Sequence, residues 1–237
     1  NQFPPVLLRV FGKEWFERGN LSLNFKNATI DQEKVKVFAE PRKSGEDSVK
    51  VWMEREDGLQ VAVGTAAMGD HSKSELRQKD YRPCDPEDLR ILNRVKPGMS
   101  LGSYDIHTRT DKQYQRYDAG LISDPLPWYR KGSPWGGSVA APCTVMEYLW
   151  GYSMNGLAPL VGDSVGLFGA IEIGFEKGPF MMSRDYHLES RVVCVGQSPQ
   201  TEYVWYETDA FDYLGDRVAR LLIQSRAMKA SSPAYQD

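Results

Sequence analysis

Leu21-Ser22-Leu23-Asn24-Phe25-Lys26 and Ile171-Glu172-Ile173-Gly174-Phe175-Glu176 share one pattern: apolar residues alternate with others, and each stretch ends in Phe and a charge. The resemblance continues downstream. Val51-Trp52-Met53-Glu54 is echoed by Val204-Trp205-Tyr206-Glu207, and Ala67-Met68 by Ala227-Met228, at offsets of 150, 153 and 160 residues from the first copy to the second. Matches that keep their order with only short insertions between them mark an internal duplication.

Both copies read as strands with period-two alternation. In the first, LSLNF, VKVFAEP, SVKVWMERE and LQVAVGTAAM are separated by turn signals that include Asp57-Gly58; in the second, GAIEIGFE, HLESRVVCVG, TEYVWYETD and RVARLLIQSRAM follow the same plan. One helical segment precedes each set. PPVLLRVFGKEWFERG opens with Pro4-Pro5 and stops at Gly19, and SVAAPCTVMEYLWGYSMNG takes Ser138 as N-cap, Pro142 in its first turn and Gly156 past its end. A helix followed by an antiparallel meander, twice over, predicts an α+β fold in which each sheet wraps its own helix. The expected divisions are residues 1–75, a connection over 76–103 whose DPEDLRIL forms a short helical turn, and residues 104–237. Only three residues precede the first prolines, whereas a long segment precedes the second helix. This asymmetry suggests a first repeat incomplete at its start, belonging to a longer chain.

Composition narrows the function. The chain has 237 residues, 41% of them apolar, with 29 basic and 32 acidic side chains spread along it. That balance gives no basic stripe for nucleic acid. No apolar run is long enough to span a bilayer, and no signal-type segment opens the chain. Cys84, Cys143 and Cys194 are odd in number and widely spaced, as expected of reduced thiols in a cytoplasmic protein. No spacing of His, Cys, Asp and Glu resembles a metal site, and neither a phosphate-binding loop nor a dinucleotide fingerprint is present, so no cofactor is implied.

The segment before the second helix, YDAGLISDPLPWYRKGSPWGGSVAAP (117–142), carries the chemistry. With the duplicated helix-and-sheet plan, it resembles the MaoC-like dehydratases and (R)-specific enoyl-CoA hydratases, double hot-dog proteins in which G-D-x-N-P-x-H and a glycine-rich turn lead into the helix. The resemblance implies that Asp124 matches the motif acid and Pro127 its proline. Tyr129 stands where the histidine belongs, Ser123 replaces the glycine and Leu126 the asparagine. Tyr117 resembles the leading aromatic. In the family the acid and histidine handle the water that adds to or leaves an enoyl thioester, while a helix-start N–H polarises its carbonyl. By that likeness Asp124 and Tyr129 are the catalytic candidates. Tyr117, Trp128, Trp135, Gly136, Gly137 and Ser138 are the candidates for substrate contact, with Gly137 as oxyanion donor.

Tyrosine at its usual pKa is no substitute for imidazole as a base at neutral pH. Of the three histidines, His107 lies on the strand SYDIHTRT and is the one in a position to reach the motif; His71 and His187 read as structural. Three activities are expected to compete: enoyl-thioester hydration or dehydration, acyl-CoA thioesterase chemistry on the same fold, and non-catalytic acyl-CoA binding as a partner subunit. A homodimer of double hot-dog chains follows from the resemblance. Gly162-Asp163-Ser164-Val165-Gly166 reads G-x-S-x-G, but the strand-like stretch after it is wrong for a serine-hydrolase elbow, which needs a helix there.

Overall fold

The computed structural model describes residues 1–236. The first half supplies strands β1 (Gly19–Phe25), β2 (Val35–Ala39), β3 (Ser48–Arg55) and β4 (Gln60–Met68). The second supplies β5 (Ser100–His107), β6 (Gly166–Phe175), β7 (Asp185–Gln197), β8 (Thr201–Phe211) and β9 (Arg217–Met228). Helices are α1 (Pro4–Phe11), α2 (Trp15–Arg18), α3 (Thr110–Asp118) and α4 (Pro142–Leu157). All nine strands join one antiparallel sheet in the order β2-β3-β4-β1-β6-β9-β8-β7-β5. The two meanders are therefore copies placed head to head, with β5 added outside β7, which is the α+β double hot-dog plan expected from the sequence.

The joint is made by equivalent strands of the two copies. β1 and β6 pair with Ser22 opposite Glu172, and Leu21 and Leu23 stand opposite Ile173 and Ile171. Ser22 and Glu172 are also equivalent positions of the duplication, 150 residues apart, so the two-fold relation between halves passes through this pair. There Ser22 Oγ donates to Glu172 Oε2 at 2.5 Å.

The helices differ from expectation in their bounds. The first is broken: Gly12, at φ +74°, ends α1, and α2 restarts three residues later. The second begins at Pro142 with Ala141 as its N-cap residue, not at Ser138. The reason is local pairing. Val139 is bridged to Met181, Ala140 N–H donates to Phe180 and Met182 N–H to Ser138, so residues 138–140 are held extended. Gly156 lies inside α4, where a Cβ would meet the Leu101 carbonyl oxygen at 2.1 Å; it lets the helix approach β5. Val145 and Leu149 are fully buried against the sheet, contributing about 1.5–3 kcal/mol each.

The connection between halves crosses the sheet's opposite face. Of its DPEDLRIL stretch only Pro86–Asp88 is helical, as a 3-10 turn. The following N–H groups of Arg90, Ile91 and Leu92 donate to the buried Glu202 carboxylate at 2.8–3.1 Å. Arg77 anchors the crossing at the two-fold joint, donating to Glu172 at 2.8 Å and Glu207 at 3.0 Å. No helix among the described residues is long and apolar enough to cross a membrane.

Candidate active site

The chain between α3 and α4 is organised by one polar side chain. Gln113, fully buried on α3, donates through Nε2 to the carbonyls of Tyr129 (2.5 Å) and Val139 (3.0 Å) and accepts from Ala141 N–H (2.9 Å). It thereby fixes the 3-10 turn Pro127–Tyr129 against the start of α4. Ser138 reinforces the same joint: its Oγ donates to the Arg130 carbonyl at 2.8 Å and meets Tyr114 Oη at 2.7 Å. Ser138 is thus a loop fastener.

Gly136 and Gly137 are also placed differently from the expected helix start. Gly136, at φ +82°, donates its N–H to Ser133, and Gly137 accepts from Ser133 N–H, so the pair closes a turn several residues before α4. At the true helix start Pro142 has no N–H, and the amides of Thr144 and Val145 both turn back to Ala141. The N–H of Cys143 makes no hydrogen bond within the described residues. Like the N–H of Gly137 it has no backbone partner, and it lies at the end of the helix where the dipole favours negative charge.

The aromatics mainly hold the two halves together. Phe16 of α2 lies 6.1 Å from Trp128, 6.3 Å from Tyr129 and 6.0 Å from Trp135 between ring centroids. Trp135 Nε1 donates to Glu17 at 2.7 Å. Tyr117 is half-buried, with the Arg130 guanidinium 5.8 Å from its ring centre. These contacts tie the first half onto the segment that carries Asp124.

Asp124, Tyr129 and Cys143 lie near enough to act on one another electrostatically. Tyr129 is 1% exposed, and its hydroxyl has no hydrogen-bond partner. Burial first, then the nearby Cys143 and Asp124, push its pKa well above the usual value, so the phenol keeps its proton and can only donate it or orient another group. Asp124 is partly buried, and that desolvation pushes its carboxyl upward. A carboxyl with a raised pKa therefore shares its surroundings with an unpartnered phenol and the Cys143 amide of α4. Ser123, next to Asp124, receives a hydrogen bond from Gln2 Nε2 at 2.9 Å and lines a groove of about 870 Å³ at the seam of the halves.

No histidine joins this cluster. His107 pairs with Asp185 at 2.7 Å, and His187 lies between Asp105 (2.8 Å) and Ser103 (2.9 Å), on the β5–β7 edge. Asp105 is 94% exposed and gives that chain no sheltered base. His71 is buried beside the Arg18 carbonyl, and burial pushes its pKa down. Ser164 is followed by β6 with no helix after it, the wrong setting for a nucleophile elbow. Among the described residues no group of three His, Cys, Asp or Glu is placed to hold a metal.

No family model matches the chain, and no curated protein does. Solved structures do. A MaoC domain dehydratase from Chloroflexus aurantiacus superposes with a TM-score of 0.51 at 13% identity, over 94% of this chain and 80% of that one. A MaoC-like dehydratase gives 0.50 at 11% identity, over 96% and 83%. An acyl-CoA thioesterase II from Mycobacterium marinum gives 0.47 at 14% identity, over 93% and 83%. At these identities the likeness concerns architecture: the chain has the double hot-dog fold of the MaoC-like dehydratase structures.

Proposed function

We propose that the chain is an acyl-thioester hydratase or dehydratase of the MaoC-like kind, acting on an enoyl or 3-hydroxyacyl thioester. The observation that carries this is the buried, unpartnered Tyr129 hydroxyl beside the partly buried Asp124 carboxyl and the free Cys143 amide. An unsatisfied buried hydroxyl costs about 1–3 kcal/mol, a cost offset when a ligand supplies the missing partner. In the hydration direction Asp124 takes a proton from water as the water oxygen bonds to C3, and returns that proton to C2. Tyr129 orients the water, and Cys143 N–H stabilises the negative charge that develops on the thioester oxygen. Gly136, Gly137 and Ser138 then serve the site by shaping the loop, and Trp128, Trp135 and Tyr117 by packing it. We also place the protein in the cytoplasm and expect pairs of chains to associate as dimers. Incubation with an enoyl-CoA and a saturated acyl-CoA tests the reading. Hydration without thiol release supports it, whereas thiol release from the saturated substrate makes the protein a thioesterase, and binding without turnover of either makes it a non-catalytic acyl-CoA protein.

A further inference from the structure

The three cysteines stand in different settings. Cys194 is 5% exposed, and burial raises its pKa. Cys84 is half-buried; burial raises its thiol too, and Asp88, Glu202 and Asp85 add to the effect, because a thiolate there would face three carboxylates. Cys143 is half-buried at the opening of α4. It is the first residue of that helix with an N–H, and the dipole of a sixteen-residue helix favours negative charge at this end. A helix start is a setting in which the thiolate, the form that attacks electrophiles, is favoured.

The Tyr129 hydroxyl supplies a second, independent element. It is 1% exposed, has no hydrogen-bond partner among the described residues, and lies close enough to Cys143 and Asp124 to feel the charge of both. A phenol so placed can donate to an acceptor oxygen brought in from outside. A soft nucleophile, a proton-bearing phenol and a carboxyl thus share one locality, and the groove that Ser123 lines next to Asp124 gives an approach. A carbonyl conjugated to a C=C bond uses all three: sulfur at C3, the phenol at the carbonyl oxygen and the carboxyl at C2.

We infer that Cys143 is a covalent capture site for α,β-unsaturated aldehydes and ketones. The Sγ–C3 bond forms as the C2=C3 π bond opens, and that electron pair becomes a C–H bond at C2 with the proton of Asp124. The thiol proton then restores the carboxyl, so thiol and electrophile add with no leaving group, oxidant or reductant. The inference borrows Asp124 and Tyr129 from the proposed hydration site but needs no thioester.

Treatment of the whole protein with trans-2-hexenal, followed by borohydride and peptide mapping by mass spectrometry, tests it beside a parallel treatment with iodoacetamide. Iodoacetamide alkylates sulfur by losing iodide and needs no proton at carbon, so the ratio of the two rates cancels access and thiolate fraction. Each pKa unit separates thiolate fractions about tenfold, and Cys143 is expected to take hexenal about tenfold or more faster than Cys84 or Cys194. Asp124→Asn should lower the hexenal-to-iodoacetamide ratio at Cys143 about tenfold or more. Circular dichroism checks the fold of that variant. Should it misfold, Tyr129→Phe, which keeps the buried ring, decides, with a fall in the same ratio of about tenfold or more expected. Hexenal reacting at Cys84 or Cys194 as fast as at Cys143, or an unchanged ratio in the folded variant, overturns the capture site and leaves the hydratase reading to its own assay. Capture as described in a protein that hydrates no enoyl-CoA keeps the site and removes the hydratase reading.

Discussion

Replacing Tyr129 by phenylalanine separates a catalytic phenol from a structural one, because the two roles predict opposite signs of stability change. The ring is 1% exposed and packs edge-on against Phe16, and phenylalanine keeps that ring. Only the hydroxyl is lost, and it has no partner. A buried hydroxyl that gave up its water without a replacement costs about 1–3 kcal/mol. Its removal should therefore stabilise the protein by about 1 kcal/mol, raising Tm by about 2–4 °C for a chain of this size. Turnover should move the other way, by about a hundredfold in kcat, if the hydroxyl orients the water that Asp124 activates. Urea unfolding gives the first number: a higher midpoint at an unchanged slope reports stability alone. Absorbance of the enoyl thioester gives the second. A variant less stable than wild type by more than about 1 kcal/mol, with turnover intact, would mean that the hydroxyl serves the fold, and the proposed cluster would lose its second member.

The remaining expectations use the same assays. Asp124→Asn should lower kcat by about 10²–10⁴-fold with little change in stability. In the wild type, activity should rise with pH through the Asp124 ionisation, and since burial raises that pKa the acidic limb of kcat/KM should fall above the ordinary carboxylate value of about 3.9; a limb at or below that value refutes the assignment. Gln113→Leu leaves two carbonyls and an N–H unpaired, so a loss of about 3 kcal/mol or more is expected in urea; a loss under about 0.5 kcal/mol contradicts its role as the organiser of the loop. Arg77→Met removes the cation paired with the buried Glu172 and one of three around Glu207, and should cost about 3–5 kcal/mol near neutrality. Burial alone would raise the Glu207 pKa, but the hydrogen bond and charge of Arg77, with Arg220 and Arg191, hold it below normal. That contribution is complete above the unfolded carboxylate pKa and disappears as pH falls through the lower folded value, so wild type and variant should begin to converge in stability as pH falls below the ordinary glutamate value of about 4.3.

What was legible in the sequence is what depends on period. The alternation of β1 and β6, and the matched Val51–Glu54 and Val204–Glu207, located the strands and their duplication, because a residue's face on a strand follows from its position alone. What stayed hidden depends on long-range pairing. Helix α3 reads TDKQYQRYD, and the residue it buries is Gln113, so no apolar stripe announces it. The Ser138 N-cap signature was genuine in type but overruled by the bridge from Val139 to Met181, more than forty residues away. That shift leaves Gly137 in a turn ahead of the helix and makes Cys143 the first residue of α4 with an N–H. Asp124 and Tyr129 were singled out by their likeness to a motif; that the Tyr129 hydroxyl is buried without a partner has no sequence signal. Nor does the groove, whose walls come from loops about a hundred residues apart around Ile30 and Leu121.

The Ser22–Glu172 contact has a consequence for how such a molecule can diverge. When two identical chains meet about an axis, whatever residue sits on the axis must face itself, and a glutamate there would confront another glutamate at hydrogen-bonding range. Joining both halves in one polypeptide removes that obligation. One side of the axis is a hydroxyl that donates, the other a carboxylate that accepts, and an arginine from the connecting segment completes the charge balance. An arrangement forbidden to a symmetric pair thus becomes open to the fused molecule, and it frees the two halves to diverge.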